Sequence, residues 1–131
     1  MLRDPNLEQY VVGTALLRGL LTPTPEHFTV PILAAVAGVS CRRAGVVAVG
    51  RLLHLEGKLD AVGGAFGLYC MCLDGGTSVG YEYFTERLLL LTERRFAATV
   101  ARRYLDALGG DEDKIPSLGE LVEQVEACRQ R

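Results

Sequence analysis

Tryptophan is absent from this chain, and aromatic residues of any kind make up only 7% of its 131 positions. A core must therefore be built mainly from Leu, Val and Ala; the hydrophobic share of 49% fits a packed helical protein and argues against disorder. Excess charge is also missing. Fourteen Lys and Arg stand against 16 Asp and Glu, a net of -2, which gives no bulk attraction for a polyanion and leaves only local basic patches. No apolar run reaches the roughly 18 residues that span a bilayer, because Arg18, Arg42, Arg43, Arg51 and Glu56 interrupt the candidates. The start, Met1-Leu2-Arg3-Asp4-Pro5, lacks the charged-then-apolar form of a secretion signal. The expectation is a cytoplasmic protein without a membrane partner.

The chemistry of catalysis is missing as well. There is no Gly-x-x-x-x-Gly-Lys-Ser/Thr phosphate loop; the only Gly-Lys, Gly57-Lys58, precedes Leu59 and lacks the upstream glycine. Cys41, Cys70, Cys72 and Cys128 form no Cys-x-x-Cys pair. Cys70 and Cys72, two apart on an expected helix, point roughly 200° apart around its axis and do not readily share a metal. They read as small apolar residues. His27 and His54 have no Ser or Cys partner that the sequence places, and Asp111, Glu112 and Asp113 lack the Gly and ligand alternation of a calcium loop. No catalytic residue, cofactor or metal is expected, and the chain reads as no enzyme.

What is present is helical patterning over a length that suits one domain, or one with an appendage. Asn6 stands as an N-cap with Gln9 three residues later, opening a first helix from about Leu7 to Leu20. Tyr10, Val11, Thr14, Leu17 and Leu21 form one apolar stripe, and Val12, Ala15, Leu16 and Leu20 make the other side nearly as apolar, so that Glu8, Gln9 and Arg18 alone ask for water. Thr22-Pro23-Thr24-Pro25 breaks the helix. A short apolar helix then ends at Gly57, and the turn chemistry of Asp60 and Gly63-Gly64 reverses the chain into another from about Ala65 to Leu73. The glycine pair removes bulk, letting this helix lie close to the one before. Asp74-Gly75-Gly76 stops it, and Thr77 or Ser78 caps a long helix from about Val79 to Leu108. Leu88, Thr92, Phe96, Val100, Tyr104 and Leu108 follow on it at four-residue spacing. Its opposite side carries Glu86, Arg87, Glu93, Arg94, Arg102, Arg103 and Asp106, a solvated face. After a loop at 109–116, the Ser117-Leu118-Gly119-Glu120 capping box opens a last helix to about Gln130 with Leu118, Leu121, Val122, Val125 and Cys128 on one stripe.

Two stretches together resemble a known family. Leu53-His54-Leu55-Glu56-Gly57-Lys58-Leu59-Asp60-Ala61-Val62-Gly63-Gly64, followed by Phe66, Leu68 and Tyr69, and the opening Glu8-Gln9-Tyr10-Val11-Val12-Gly13-Thr14-Ala15-Leu16-Leu17, are similar in order and content to the N-terminal domain of the DnaB-type replicative DNA helicase. The resemblance covers nearly the whole chain and leaves out the ATPase domain; a full-length helicase of that family would be an ATPase. It is weakest between Thr22 and Gly57. There the family carries two helices, while this chain has Phe28, Ile32 and Leu33 in a shorter interval and lacks the family's Asp-opened turn, so one helix is expected to be trimmed or missing.

The resulting expectation is an all-α fold of about six helices: a globular helical bundle over 1–76, then a long helix and a C-terminal helix forming a hairpin over 77–131. By resemblance, the hairpin makes homodimers and a ring-like collar linked to DNA replication, with a surface for primase, helicase or a helicase loader. Phe96, Val100, Tyr104, Leu118, Leu121, Val122 and Val125 are the candidate self-association residues, because two helices alone do not cover both of their apolar stripes. Whether these stripes instead satisfy one another within one chain stays open. So does whether the chain is a fragment, a free-standing relative, or an adaptor that mimics a resident helicase. The alternative is a helix-turn-helix regulator: Ile32 to Ser40 as first helix, Gly38-Val39-Ser40 in the turn, and a second helix that brings Arg42, Arg43 and Arg51 to DNA.

Overall fold

A computed structural model describes residues 3–109 and 118–129, the side chains of Leu118, Leu121, Val125, Cys128 and Arg129 excepted. Six α-helices carry the described residues: α1 (Pro5–Arg18), α2 (Pro31–Ser40), α3 (Val46–Leu55), α4 (Gly64–Leu73), α5 (Ser78–Leu108) and α6 (Leu118–Arg129). Single 3-10 turns occupy Pro25–His27 and Asp60–Val62, and no strand occurs among the described residues. The all-α expectation holds. Two compact units make up the chain, Arg3–Leu89 and Leu90–Arg131, the division falling inside α5.

The first helix starts and stops earlier than Asn6 and Leu20 suggest. Asp4 is its N-cap, with its side chain accepting from the Leu7 amide at 3.1 Å. Pro5 takes the first helical position, where its missing N–H would have had no partner in any case. Gly19, at φ 70°, ends the helix in the left-handed conformation. Leu7, Val11, Val12, Ala15 and Leu16 are buried, but Leu17 and Leu21 are about half exposed and leave the expected stripe.

Glu8 reverses its expected role. It is fully buried. Its carboxylate accepts from the Thr29 amide and hydroxyl and, at 3.0 Å, from the Val30 amide. Val30 is the N-cap of α2, so a buried anion sits where the amide dipoles of that helix converge.

The interval between Thr22 and Gly57 keeps two helices, α2 and α3, in place of the trimmed set expected from its shortness. Phe28, Leu33, Val36, Ala37 and Val39 fill the core there. Thr22 and Ser40 share a buried hydroxyl–hydroxyl hydrogen bond of 2.7 Å that fastens the end of α2 to the segment after α1. At the end of α3, the Lys58 amide reaches back to the Leu53 carbonyl at 2.8 Å and the Gly57 amide to His54 at 3.0 Å. This is a Schellman closure with Gly57 at φ 71°. Gly63 and Gly64 also have positive φ, 92° and 69°, so this pair is required by the turn itself.

The close helix contact comes from another pair. A Cβ on Gly13 would lie 2.2 Å from the Met71 carbonyl oxygen and 2.9 Å from the Gly75 nitrogen, and one on Gly75 would lie 2.7 Å from the Gly13 carbonyl. Backbone meets backbone where α1 crosses the end of α4. Thr14 adds a hydrogen bond there, its hydroxyl accepting from the Gly76 amide at 2.7 Å.

The first turns of α5 belong to this same unit. Thr77 caps them through a 3.3 Å bond from the Gly80 amide. Phe84 packs on Tyr10 with ring centroids 4.6 Å apart, and the Tyr81 hydroxyl donates to the Leu21 carbonyl. Leu88 is fully buried. In the second unit, Leu91, Thr92 and Val100 are buried and Phe96 and Tyr104 half-buried, while Leu105 and Leu108 are exposed. Residues 110–117, where most of the expected loop and the Ser117 cap fall, lie outside the described residues.

Candidate interaction surfaces

The self-association candidates divide between α5 and α6. Phe96, Val100 and Tyr104 follow one another a turn apart on α5. Val122 on α6 is 55% exposed, an apolar side chain left in water. The backbones of Leu118, Leu121 and Val125 lie in α6, and their side chains are outside the described residues. Beside the apolar row, Arg95, Thr99, Arg102, Arg103 and Asp106 border a shallow depression of about 440 Å³. Thr99 bonds the Arg95 carbonyl at 3.0 Å, and Arg95 reaches the Thr92 hydroxyl at the same distance.

The three arginines of the helix-turn-helix reading do not share one helix. Gly38, Val39 and Ser40 are the last residues of α2, and the turn falls at 41–45, ending on Gly45 at φ 93°. Arg42 and Arg43 therefore sit in the turn. The Arg42 guanidinium pairs with Glu56 at 2.7 Å and donates to the Gly38 carbonyl at 3.2 Å. Arg51 alone stands on α3, exposed.

Two apolar surfaces of the first unit were not singled out from sequence. The first is the outer side of α4, where Phe66, Tyr69 and Leu73 are 75%, 60% and 67% exposed. No charged residue occurs from Gly64 to Leu73, a composition typical of a helix enclosed on all sides. The second is an open groove of about 370 Å³ between α3 and α4. Leu68, buried, and Gly50 form its base; Val46, Val47, Leu59 and Ala65 complete the apolar lining, and Arg51 and His54 are its polar members. The charge-free run Gly64–Leu73 was the signal available for both. A helix of that composition reads equally well as a core element, and only its placement shows which side is left uncovered.

Among the described residues, no three His, Cys, Asp or Glu side chains come close enough to hold a metal. Burial pushes the Cys72 thiol above its usual pKa, which suits an inert apolar role. His27 is buried, 3.7 Å from Glu26, whereas His54 is exposed in the groove. No helix among the described residues is long and apolar enough to cross a membrane.

No protein-family model matches the chain, and no curated protein matches its sequence. Its architecture does match a solved structure, the N-terminal domain of DnaB helicase from Mycobacterium tuberculosis. The TM-score is 0.70 at 22% identity, over 96% of this chain and 95% of that one. The match along nearly the whole of both chains leads to one conclusion: this chain has the fold of a DnaB helicase N-terminal domain.

Proposed function

We propose that this protein is an association module of the kind found at the N-terminus of a replicative helicase, that it pairs with a second copy of itself through α5 and α6, and that it performs no reaction of its own. The observation carrying this reading is the fold match along nearly the whole of both chains, joined to the apolar Val122 side chain that α6 leaves in water. Phe96, Tyr104, Leu118, Leu121, Val122 and Val125 form the pairing surface, with Val100, already buried within its own chain, packed beneath it, since apolar stripes on a two-helix unit gain stability when a second pair covers them. A paired module of this fold would assemble into a ring-like collar and present its first unit to a primase, a helicase or a helicase loader in the cytoplasm.

The helix-turn-helix reading has less support. Arg42 is already neutralised by Glu56, and α3 offers Val47 and Leu55 to solvent, 65% and 78% exposed, where a recognition helix would carry polar groups. Light scattering and a gel-shift titration on the same sample separate the two. A dimer mass with no salt-sensitive DNA binding is expected. A monomer that binds duplex DNA, and loses that binding on Arg42→Ala with Arg43→Ala, would overturn the proposal.

A further inference from the structure

We propose that the groove between α3 and α4 is a docking site for an acidic amphipathic helix of another protein. This rests on reading the chain as an association module, and it names the partner chemistry of a surface distinct from the α5 and α6 pairing face.

The shape comes first. The lining on α3 runs from Val46 to His54, about 12 Å of helix at 1.5 Å per residue. That length receives apolar anchors at i, i+3 or i+4, and i+7 of a docked helix. Gly50 keeps the groove open: a Cβ there would already touch the Leu68 side chain at 3.4 Å, and anything longer would occupy the space between α3 and α4. The lining is apolar apart from Arg51 and His54, and Val47, 65% exposed, extends it outward.

Charge then selects the occupant. Arg51 is the one lining residue with a fixed charge, and it makes no ion pair among the described residues. From Arg42 to Leu73 the chain carries Arg42, Arg43, Arg51 and Lys58 against Glu56 and Asp60, a net of +2 in a protein whose total is -2. The acidic group nearest in sequence to Arg51, Glu56, is held by Arg42. A helix with Leu-type anchors and Asp or Glu beside them satisfies both the floor and the rim; a lysine-rich helix would leave Arg51 facing like charge. Duplex DNA has no use for the apolar lining, which offers few donors to phosphates or base edges.

The test uses the full chain and two synthetic helical peptides of about 14 residues, long enough for four turns. Both carry Leu at the anchor positions, with Glu at the flanking positions in one and Lys in the other. Fluorescence anisotropy is expected to show saturable binding of the Glu peptide and binding of the Lys peptide at least about tenfold weaker. Arg51→Glu should reverse that preference, and Val47→Asp should weaken both peptides. Amide shifts on titration should map to α3 and α4. Both substitutions are at exposed positions, so folding is retained and checked by circular dichroism. Equal binding of the two peptides, no saturable binding, shifts confined to α5 and α6, or displacement of the Glu peptide by duplex DNA would each overturn the proposal. Loss of self-association on Arg51→Glu would overturn it too, assigning the groove to a second copy. A wild-type monomer that still binds the Glu peptide at α3 and α4 would instead remove self-pairing and leave the groove standing.

Discussion

Glu8, in the first turn of α1, holds the amide of Val30 at 3.0 Å and so fixes the N-terminus of α2 from across the fold. The same carboxylate also accepts from the amide and hydroxyl of Thr29. Hydrogen bonds to a charged group are worth about 1.5–3 kcal/mol, and stranded buried donors add their own penalty. Glu8→Ala should therefore destabilise the protein by about 3 kcal/mol or more. Glu8→Gln should cost less, because one acceptor oxygen remains while the amide nitrogen faces donors. Urea denaturation of the three proteins checks the order.

Gly13 and Gly38 are both helical glycines, and the structure separates them. A Cβ on Gly13 would strike backbone atoms of Met71 and Gly75, which cannot move aside cheaply, whereas one on Gly38 meets only the Pro25 Cγ at 3.8 Å. Gly13→Ala should cost at least about 2 kcal/mol through forced separation of α1 and α4. Gly38→Ala should be stabilising by up to about 1 kcal/mol, the helix-propensity difference. Opposite signs in thermal melts are the expected result.

The hydroxyl pair Thr22–Ser40 is buried and 2.7 Å apart. Replacing Ser40 by Ala leaves the Thr22 hydroxyl without that partner, at about 1–2 kcal/mol. Adding Thr22→Val to Ser40→Ala removes the stranded group and should recover part of the loss. A double-mutant cycle by denaturation measures the coupling.

Tyr81 supplies a pH signature. Burial raises its phenol above the usual 10.0, and its hydroxyl donates to the Leu21 carbonyl. With the folded-state value raised, the stability it contributes is complete below pH 10.0 and is lost as the pH climbs through the higher folded value. Stability should fall more steeply in that alkaline window for the wild type than for Tyr81→Phe, which has no proton to lose. Denaturant midpoints measured from pH 8 to about 11.5 give the comparison.

Much of this fold is legible in the residues because local chemistry and tertiary packing agree. Gly57 closes α3, the Gly63-Gly64 turn carries positive φ, and Thr77 caps α5, each for a reason visible in a few neighbouring residues. The misreadings arise where a distant partner decides. Glu8 looks solvated until Thr29 and Val30 are brought to it, and Gly13 looks like an ordinary helix residue until Gly75 meets it. Asn6 is a competent cap, but Asp4 with Pro5 offers a better one two residues earlier. Among the candidate surfaces, the row Phe96, Val100 and Tyr104 follows from periodicity, whereas the α3–α4 groove does not. Val47, Gly50 and Leu68 show no pattern of exposure until two helices are set side by side.

The claim on which the account turns is that α5 and α6 join two copies of the chain, and sedimentation equilibrium of the wild type beside Val122→Glu addresses it most directly. Val122 is already in water, so the substitution should leave the isolated fold intact. The wild type should approach twice its 14.2 kDa mass as its concentration rises, and the variant should remain at the single-chain value. A wild type that stays at 14.2 kDa throughout, or a variant that associates as well as its parent, would contradict it.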